Sequence, residues 1–193
     1  MAKRRNSDLI SDVPESARKD PNPAAAGLVT ANADDVVIGR SVTINRSPQE
    51  LYDVWRDFRN LPLFMENIES VTIIDPVRSH WKVKGPVDSS LEWDSIITED
   101  VPGEVIAWTS AKDASVPNTG RIEFRESTNG RGTIVTATVA YDPPASKIGA
   151  MIAKLFGREP TVQARRDLRR FKQLMETGEL PISEPPVAAP RGN

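Results

Sequence analysis

Between residues 36 and 45, in VVIGRSVTIN, Val42 and Ile44 alternate with Ser41 and Thr43, the two-residue period of a strand with one buried face. The period then changes. Ser47 and Glu50 spell a capping box, Pro48 stands at the first helical position, and Leu51, Val54, Trp55 and Phe58 recur at helical spacing, so a helix is predicted from Pro48. Asn60 and Pro62 mark a break before LFMENI, which reads as a second short helix carrying Phe64, Met65 and Ile68. From there the period returns to two in six runs: SVTIID, SHWKVKG, LEWDSIITED, EVIAWTS, GRIEFRES and GTIVTATVAYD. Turn signals at Asp75-Pro76, Gly85-Pro86, Pro102-Gly103, Pro117-Asn118 and Asn129-Gly130 separate them, which makes an antiparallel meander. The chain then reads as helix through Ile148, Met151, Ile152, Leu155 and Phe156. It breaks at Gly157 and Pro160, resumes through Leu168, Phe171 and Met175, and stops at Gly178. The predicted order is one strand, two helices, six strands and a long broken helix.

With 193 residues, 38% of them hydrophobic and 27% charged, the chain is expected to form one globular domain around one core. Residues 1–35 mix charges with Pro, Ala and Asn and offer little to bury, so they are expected to be a disordered tail. Residues 179–193 form a Pro-rich tail, leaving a folded domain over 36–178. The basic start MAKRRNSD is not followed by the apolar run of an export signal, since Asp8, Asp12 and Glu15 interrupt it. No window approaches the roughly 20 apolar residues that cross a bilayer. The expected location is therefore cytoplasmic, with at most peripheral contact at a membrane. Lys and Arg number 25 against 27 Asp and Glu, a formal charge of −2, so no global field calls for nucleic acid. There is no cysteine and a single histidine, which removes disulfides, thiolate chemistry and the common zinc sites; no cofactor is expected.

Three stretches carry a resemblance. INRSPQELYDVWRDFRNLPLFMENIESV, EWDSIITEDVPGEVIAW, and YDPPASKIGAMIAKLFGREP followed by DLRRFKQLMETGE resemble the bacterial START-like proteins grouped as SRPBCC. Within them the chain looks most like the polyketide cyclase/dehydrase and coenzyme Q-binding type, over roughly residues 37–178. The resemblance implies an α+β helix-grip fold, in which a seven-stranded antiparallel sheet wraps around a long C-terminal helix, with two short helices after the first strand. It also implies a mostly apolar cavity for a lipid, quinone, sterol or polyketide-like molecule. Most relatives bind or carry such ligands, and a minority catalyse cyclisation or dehydration. Fold alone does not choose between these.

Strand alternation places Trp81 with Val83, Leu91 with Trp93 and Ile97, Ile106 with Trp108, and Ile122 with Phe124 on apolar faces. The expected ligand-binding set is Phe64, Met65, Trp81, Val83, Trp93, Ile97, Ile106, Trp108, Phe124 and Tyr141. Ile148, Met151, Ile152, Leu155 and Phe156 complete it from the helix that covers the sheet, and Ser95 and Tyr141 would supply polarity. Each of these residues also fits plain core packing.

Catalytic candidates are weaker. Glu92 and Asp94 stand two apart on a strand, at roughly 7 Å, and would split into acid and base only if burial raised one pKa. Turning both inward would expose Leu91 and Trp93, so water-facing carboxylates paired with Lys82 or Lys84 are favoured. His80 alternates with Lys82 and Lys84 on the face opposite Trp81. Tyr141 completes this low-ranking set.

From Lys147 to Lys172 eight basic residues meet only Glu159 and Asp167, and Arg165, Arg169 and Lys172 share one helical face, a patch suited to anionic lipid headgroups. Nucleic acid is disfavoured because no aromatic stacking residues accompany the arginines. The leading expectation is non-enzymatic binding or transport of a hydrophobic small molecule. A polyketide cyclase/dehydratase-like enzyme, or a stress module docking on RNA, a ribosome or another protein, are the alternatives.

Overall fold

In the computed structural model, which describes residues 36–85, 89–114, 117–141 and 160–179, the chain opens with strand β1, Val36–Ile44. Helix α1, Pro48–Arg56, starts where the capping box predicts. The Ser47 hydroxyl accepts the Glu50 N–H at 3.3 Å, and the Glu50 carboxylate accepts the Ser47 N–H at 3.0 Å. Two of the donors left open at a helix start are thereby satisfied, worth about 1 kcal/mol.

The second helix differs from its expected position. A 3₁₀ turn at Phe58–Asn60 leads directly into α2, Leu61–Phe64, so the helix precedes most of LFMENI. Pro62 helps start this helix instead of breaking the chain, because in a first turn its missing N–H has no partner to lose. Met65 is the C-cap with extended backbone, and Ile68 opens the next strand. The Asn60 side-chain amide donates to the Val54 carbonyl at 3.0 Å, holding the turn against the end of α1.

The six remaining strands are β2 Ile68–Ile73, β3 Arg78–Lys84, β4 Ser90–Val101, β5 Val105–Ser110, β6 Asn118–Glu126 and β7 Thr133–Tyr141. All pair antiparallel in the order β1-β7-β6-β5-β4-β3-β2, giving a seven-stranded sheet. Strands β1 and β2, neighbours in sequence, therefore lie at opposite edges, and α1 with α2 bridge them. Register shifts at Ile68/Ser70 and Ile97/Glu99 accompany the curl of the sheet.

Helix α3, Pro160–Thr177, packs on the concave face, chiefly against β1. It ends at Gly178, whose φ of 74° is the left-handed conformation of a helix stop, with its N–H on the Leu174 carbonyl at 2.8 Å. Phe171 fastens it. Its ring is fully buried, 4.7 Å from Phe64 and 4.9 Å from Trp55 between centroids, the latter edge-on at 89°. Burial of such a side chain contributes about 2–3 kcal/mol. Together with the curled sheet this is the helix-grip arrangement. No helix among the described residues is long and apolar enough to cross a membrane. The two expected tails, bar Glu179, and the helical half with Ile148, Met151, Ile152, Leu155, Phe156 and Gly157 lie outside the described residues.

Candidate functional site

Alternation along β3, β4 and β5 sends Trp81, Trp93 and Trp108 to the concave face, where strand pairing brings them into one stack. The Trp81 ring lies 6.3 Å from Trp93 and 6.2 Å from Trp108, within 20° of parallel to both. The Trp81 indole N–H is satisfied by the Ser79 hydroxyl at 2.8 Å, two residues earlier on the same face of β3, which fixes the ring. Beside this stack lies a cavity of about 140 Å³. The sheet contributes Ile38, Val83, Ala137 and Val139 along with the three tryptophans. Trp55, Met65 and Ile68 close one side, and Ala164 and Leu168 of α3 the other.

Of the expected ligand-binding residues, Met65, Trp81, Val83, Trp93 and Trp108 meet at this cavity. Phe64, Ile106 and Phe124 are instead buried in the close-packed core, and Ile97 packs against its edge. Tyr141 joins Ile38 in a small cluster against Leu91 and Ala164, where burial raises its pKa. The Ser95 hydroxyl donates to the Thr109 carbonyl at 3.3 Å across the sheet. Ser95 and Tyr141 are thus not the polar groups at the cavity.

That role falls to Asn67, Asn118, Gln163 and Asp167. In the sequence Asp167 stands as a single acid within a run of arginines. It is buried at 7% exposure, and its Oδ1 accepts the Gln163 amide at 2.8 Å from one turn earlier in α3. Burial is the main reason its pKa is pushed up to about 7. The Glu66 carboxylate pushes the same way. The Gln163 bond, the Glu66 backbone N–H and the Arg170 charge pull less strongly in the opposite direction, and Arg170 is itself engaged by Glu66 at 2.7 Å. At neutral pH a large share of the Asp167 population is therefore the neutral acid, which can donate a hydrogen bond into an apolar space.

The catalytic candidates gather elsewhere. His80 and Asp94 are directly opposite in the β3–β4 ladder, with Nδ1 and Oδ1 2.7 Å apart, and His80 Nε2 lies 3.5 Å from Glu92. Lys82 reaches Glu92 at 3.6 Å and Glu69 at 3.7 Å, forming a half-exposed band of alternating charge on the convex face. Asp94 first, then Glu92, raise the His80 pKa. These groups are separated from the cavity by the thickness of the sheet. Among the described residues no cluster of His and carboxylates is placed to hold a metal ion.

The basic face of α3 is divided. Arg169 is exposed, Lys172 donates to the Thr43 carbonyl at 2.7 Å and to Glu176 at 2.6 Å, and Arg165 is partly buried. The face lies partly against β1, and only a portion of it meets solvent.

The family model described as polyketide cyclase/dehydrase and lipid transport matches residues 44–169. A crystal structure from Deinococcus radiodurans is 36% identical, with a TM-score of 0.62 over 75% of this chain and 100% of that one. The Zhui aromatase/cyclase from Streptomyces sp. R1128 is 15% identical, TM-score 0.57, over 75% of this chain and 98% of its own. A START superfamily protein from Mycobacterium smegmatis is also 15% identical, TM-score 0.55, over 72% and 98% respectively. At 15% identity the likeness is one of fold.

Proposed function

Because the chain belongs to the polyketide cyclase/dehydrase and lipid transport family, we propose that it binds or carries a hydrophobic small molecule of lipid, quinone or polyketide-like chemistry in this cavity, without transforming it. The observation that carries the reading is the cavity itself: three stacked tryptophans and aliphatic side chains with few polar groups among them. Such a lining favours apolar matter by about 25 cal/mol for each Å² removed from water. Its volume of about 140 Å³ is near that of an apolar core void that takes up benzene, so it suits one ring or a short run of carbons. The rest of a longer ligand would extend beyond it. Native mass spectrometry of protein purified from cells, with extraction of bound lipids, tests the reading alongside titrations with quinones and fatty acids. Absence of any co-purified ligand together with no binding of either class sinks it.

One observation favours a second reading, an enzyme of the cyclase or dehydratase type. Asp167 stands at the cavity with a pKa near neutrality, the condition for a side chain that gives and takes protons. The earlier candidates His80, Glu92 and Asp94 face away from the cavity, so Asp167 replaces them in this reading. Turnover of a poly-β-keto substrate by the wild type, lost in Asp167→Asn while ligand binding persists, would establish it. No turnover across a panel of such substrates leaves simple binding.

A further inference from the structure

The position of Arg40 is not accounted for by the core or by the cavity lining. It lies in β1 between Ile38 and Val42 and shares their two-residue period, so it belongs to the concave face with the buried Ile38 and Ile44. It is 7% exposed. One terminal nitrogen donates to its neighbour's carbonyl, Gly39, at 2.7 Å, while Nε is buried with no acceptor. Arg165 stands on α3, the helix packed on β1, near enough for its charge to act on Arg40, and its Nε is likewise buried without an acceptor. Burial, and then the Arg165 charge, lower the Arg40 pKa.

Three other half-buried arginines among the described residues have a carboxylate partner, although the Arg170 Nε is also buried without an acceptor. Arg56 is paired with Asp100, Arg121 with Glu99 and Glu123, and Arg170 with Glu66. Among the described residues neither Arg40 nor Arg165 has a carboxylate within ion-pair distance. Two like charges drawn out of water together are unfavourable unless something negative joins them. Guanidinium groups present flat forks of N–H donors, a shape that matches the paired oxygens of a carboxylate or phosphate. We infer that Arg40 and Arg165 form a site for an oxyanion between β1 and α3.

The site adjoins the cavity. Ala137, the cross-strand partner of Arg40, lines it, as do Ile38 on the near side of Arg40 and Ala164 next to Arg165. The anion is therefore the carboxylate or phosphate end of an amphipathic molecule whose apolar part occupies the cavity, or a free small anion. The first source rests on the function proposed above, and the second does not.

The experiment has two arms on the full chain. In the first, 2-naphthylacetate and its methyl ester are titrated by calorimetry into wild type, Arg40→Gln and Arg165→Gln. The acid is expected to bind at least tenfold more tightly than the ester, and this preference is expected to vanish in both variants. In the second, the thermal midpoint is followed against inorganic phosphate at constant ionic strength. A ligand that binds only the folded protein raises the midpoint with concentration. An acid preference lost in the variants establishes the site with the ligand's own head as the anion. No preference, but a phosphate-dependent rise in wild type that both variants lack, establishes it for a free anion. The inference is overturned by an acid preference that survives both substitutions, or by no preference together with the same phosphate response in all three proteins. Ester binding reports separately on the cavity: if the ester binds while the anion effects are absent, the cavity reading stands without the site. Should Arg40→Gln fail to fold, Arg165→Gln, at a partly exposed position, carries both arms.

Discussion

The Gln163 side-chain amide donates to Asp167 Oδ1 at 2.8 Å, one helical turn apart, so the carboxyl group at the cavity is held by a neutral partner from its own helix. A neutral donor satisfies one oxygen without cancelling a charge. Desolvation consequently dominates, and the Asp167 pKa rises from 3.8 to about 7.

This raised pKa gives a stability profile with a definite sign. Between about pH 4 and pH 7 the folded state holds a proton at Asp167 that the unfolded chain has released, so stability falls as pH rises through that window. Below it the contribution is fully present, and above pH 7 it is gone. Glu66 and Arg170 face the same group and are paired with each other at 2.7 Å. Asp167→Asn, which cannot ionise, is expected to flatten this part of the profile and to be more stable than wild type at pH 8, by on the order of a few kcal/mol. Urea unfolding at pH 5, 6, 7 and 8 measures it. Parallel profiles for the two proteins would show that Asp167 titrates as an ordinary surface carboxylate.

The Arg40 guanidinium has a cost in the unliganded protein whatever it binds. Arg40→Met keeps the length and apolar stem of the side chain and removes a buried charge that lies near Arg165. The variant is expected to be more stable than wild type by on the order of 1 kcal/mol in the absence of added anions. Equilibrium unfolding in chloride buffer reads this directly, and a loss of stability would mean that the charge is better compensated than its contacts indicate.

How far the chain disclosed these features in advance depends on the kind of signal each residue sends. Period-two alternation found all seven strands to within two residues, and it placed Trp81, Trp93 and Trp108 together because strand geometry fixes which face a side chain takes. Alternation does not give depth under a covering helix. Phe124 and Ile106 share the concave face with the tryptophans yet lie in the close-packed core. Asp167 was obscured by its neighbours, since RRDLRR reads as a solvated face. The available signal was its helical phase: it falls beside Leu168 and four residues before Phe171, on the side of α3 that turns inward. Arg40 sends the same kind of signal in strand form, an arginine in phase with Ile38, Val42 and Ile44. The His80–Asp94 contact depended on the register between β3 and β4, which single-strand patterns leave open.

Gly120 sets the position of one cavity wall. It stands opposite Trp108 in the β5–β6 ladder, and a Cβ added there would lie 2.1 Å from the indole ring. The ring rests against bare backbone, which only glycine provides. Gly120→Ala is expected to displace Trp108 toward the cavity and to destabilise the fold by about 1–3 kcal/mol. It should also weaken binding of an apolar ligand. Unfolding and ligand titration are the two readouts, and unchanged ligand affinity would place Trp108 outside the binding surface.

The convex-face histidine separates a charge ladder from catalytic machinery. Asp94 accepts the His80 Nδ1–H at 2.7 Å and raises the histidine pKa above 6.5, with Glu92 adding to the effect. For a group raised on folding, the stabilising contribution is complete below about pH 6.5 and disappears as pH climbs through the folded-state value. Because the ring is 40% exposed, that contribution is small, and NMR is the suitable probe. The His80 ring resonances are expected to titrate above 6.5 in wild type and to move toward 6.5 in Asp94→Asn. His80→Gln is expected to leave apolar-ligand titrations unchanged, since the sheet stands between this residue and the tryptophan stack. A change in ligand affinity or turnover in that variant would return His80 to the functional site.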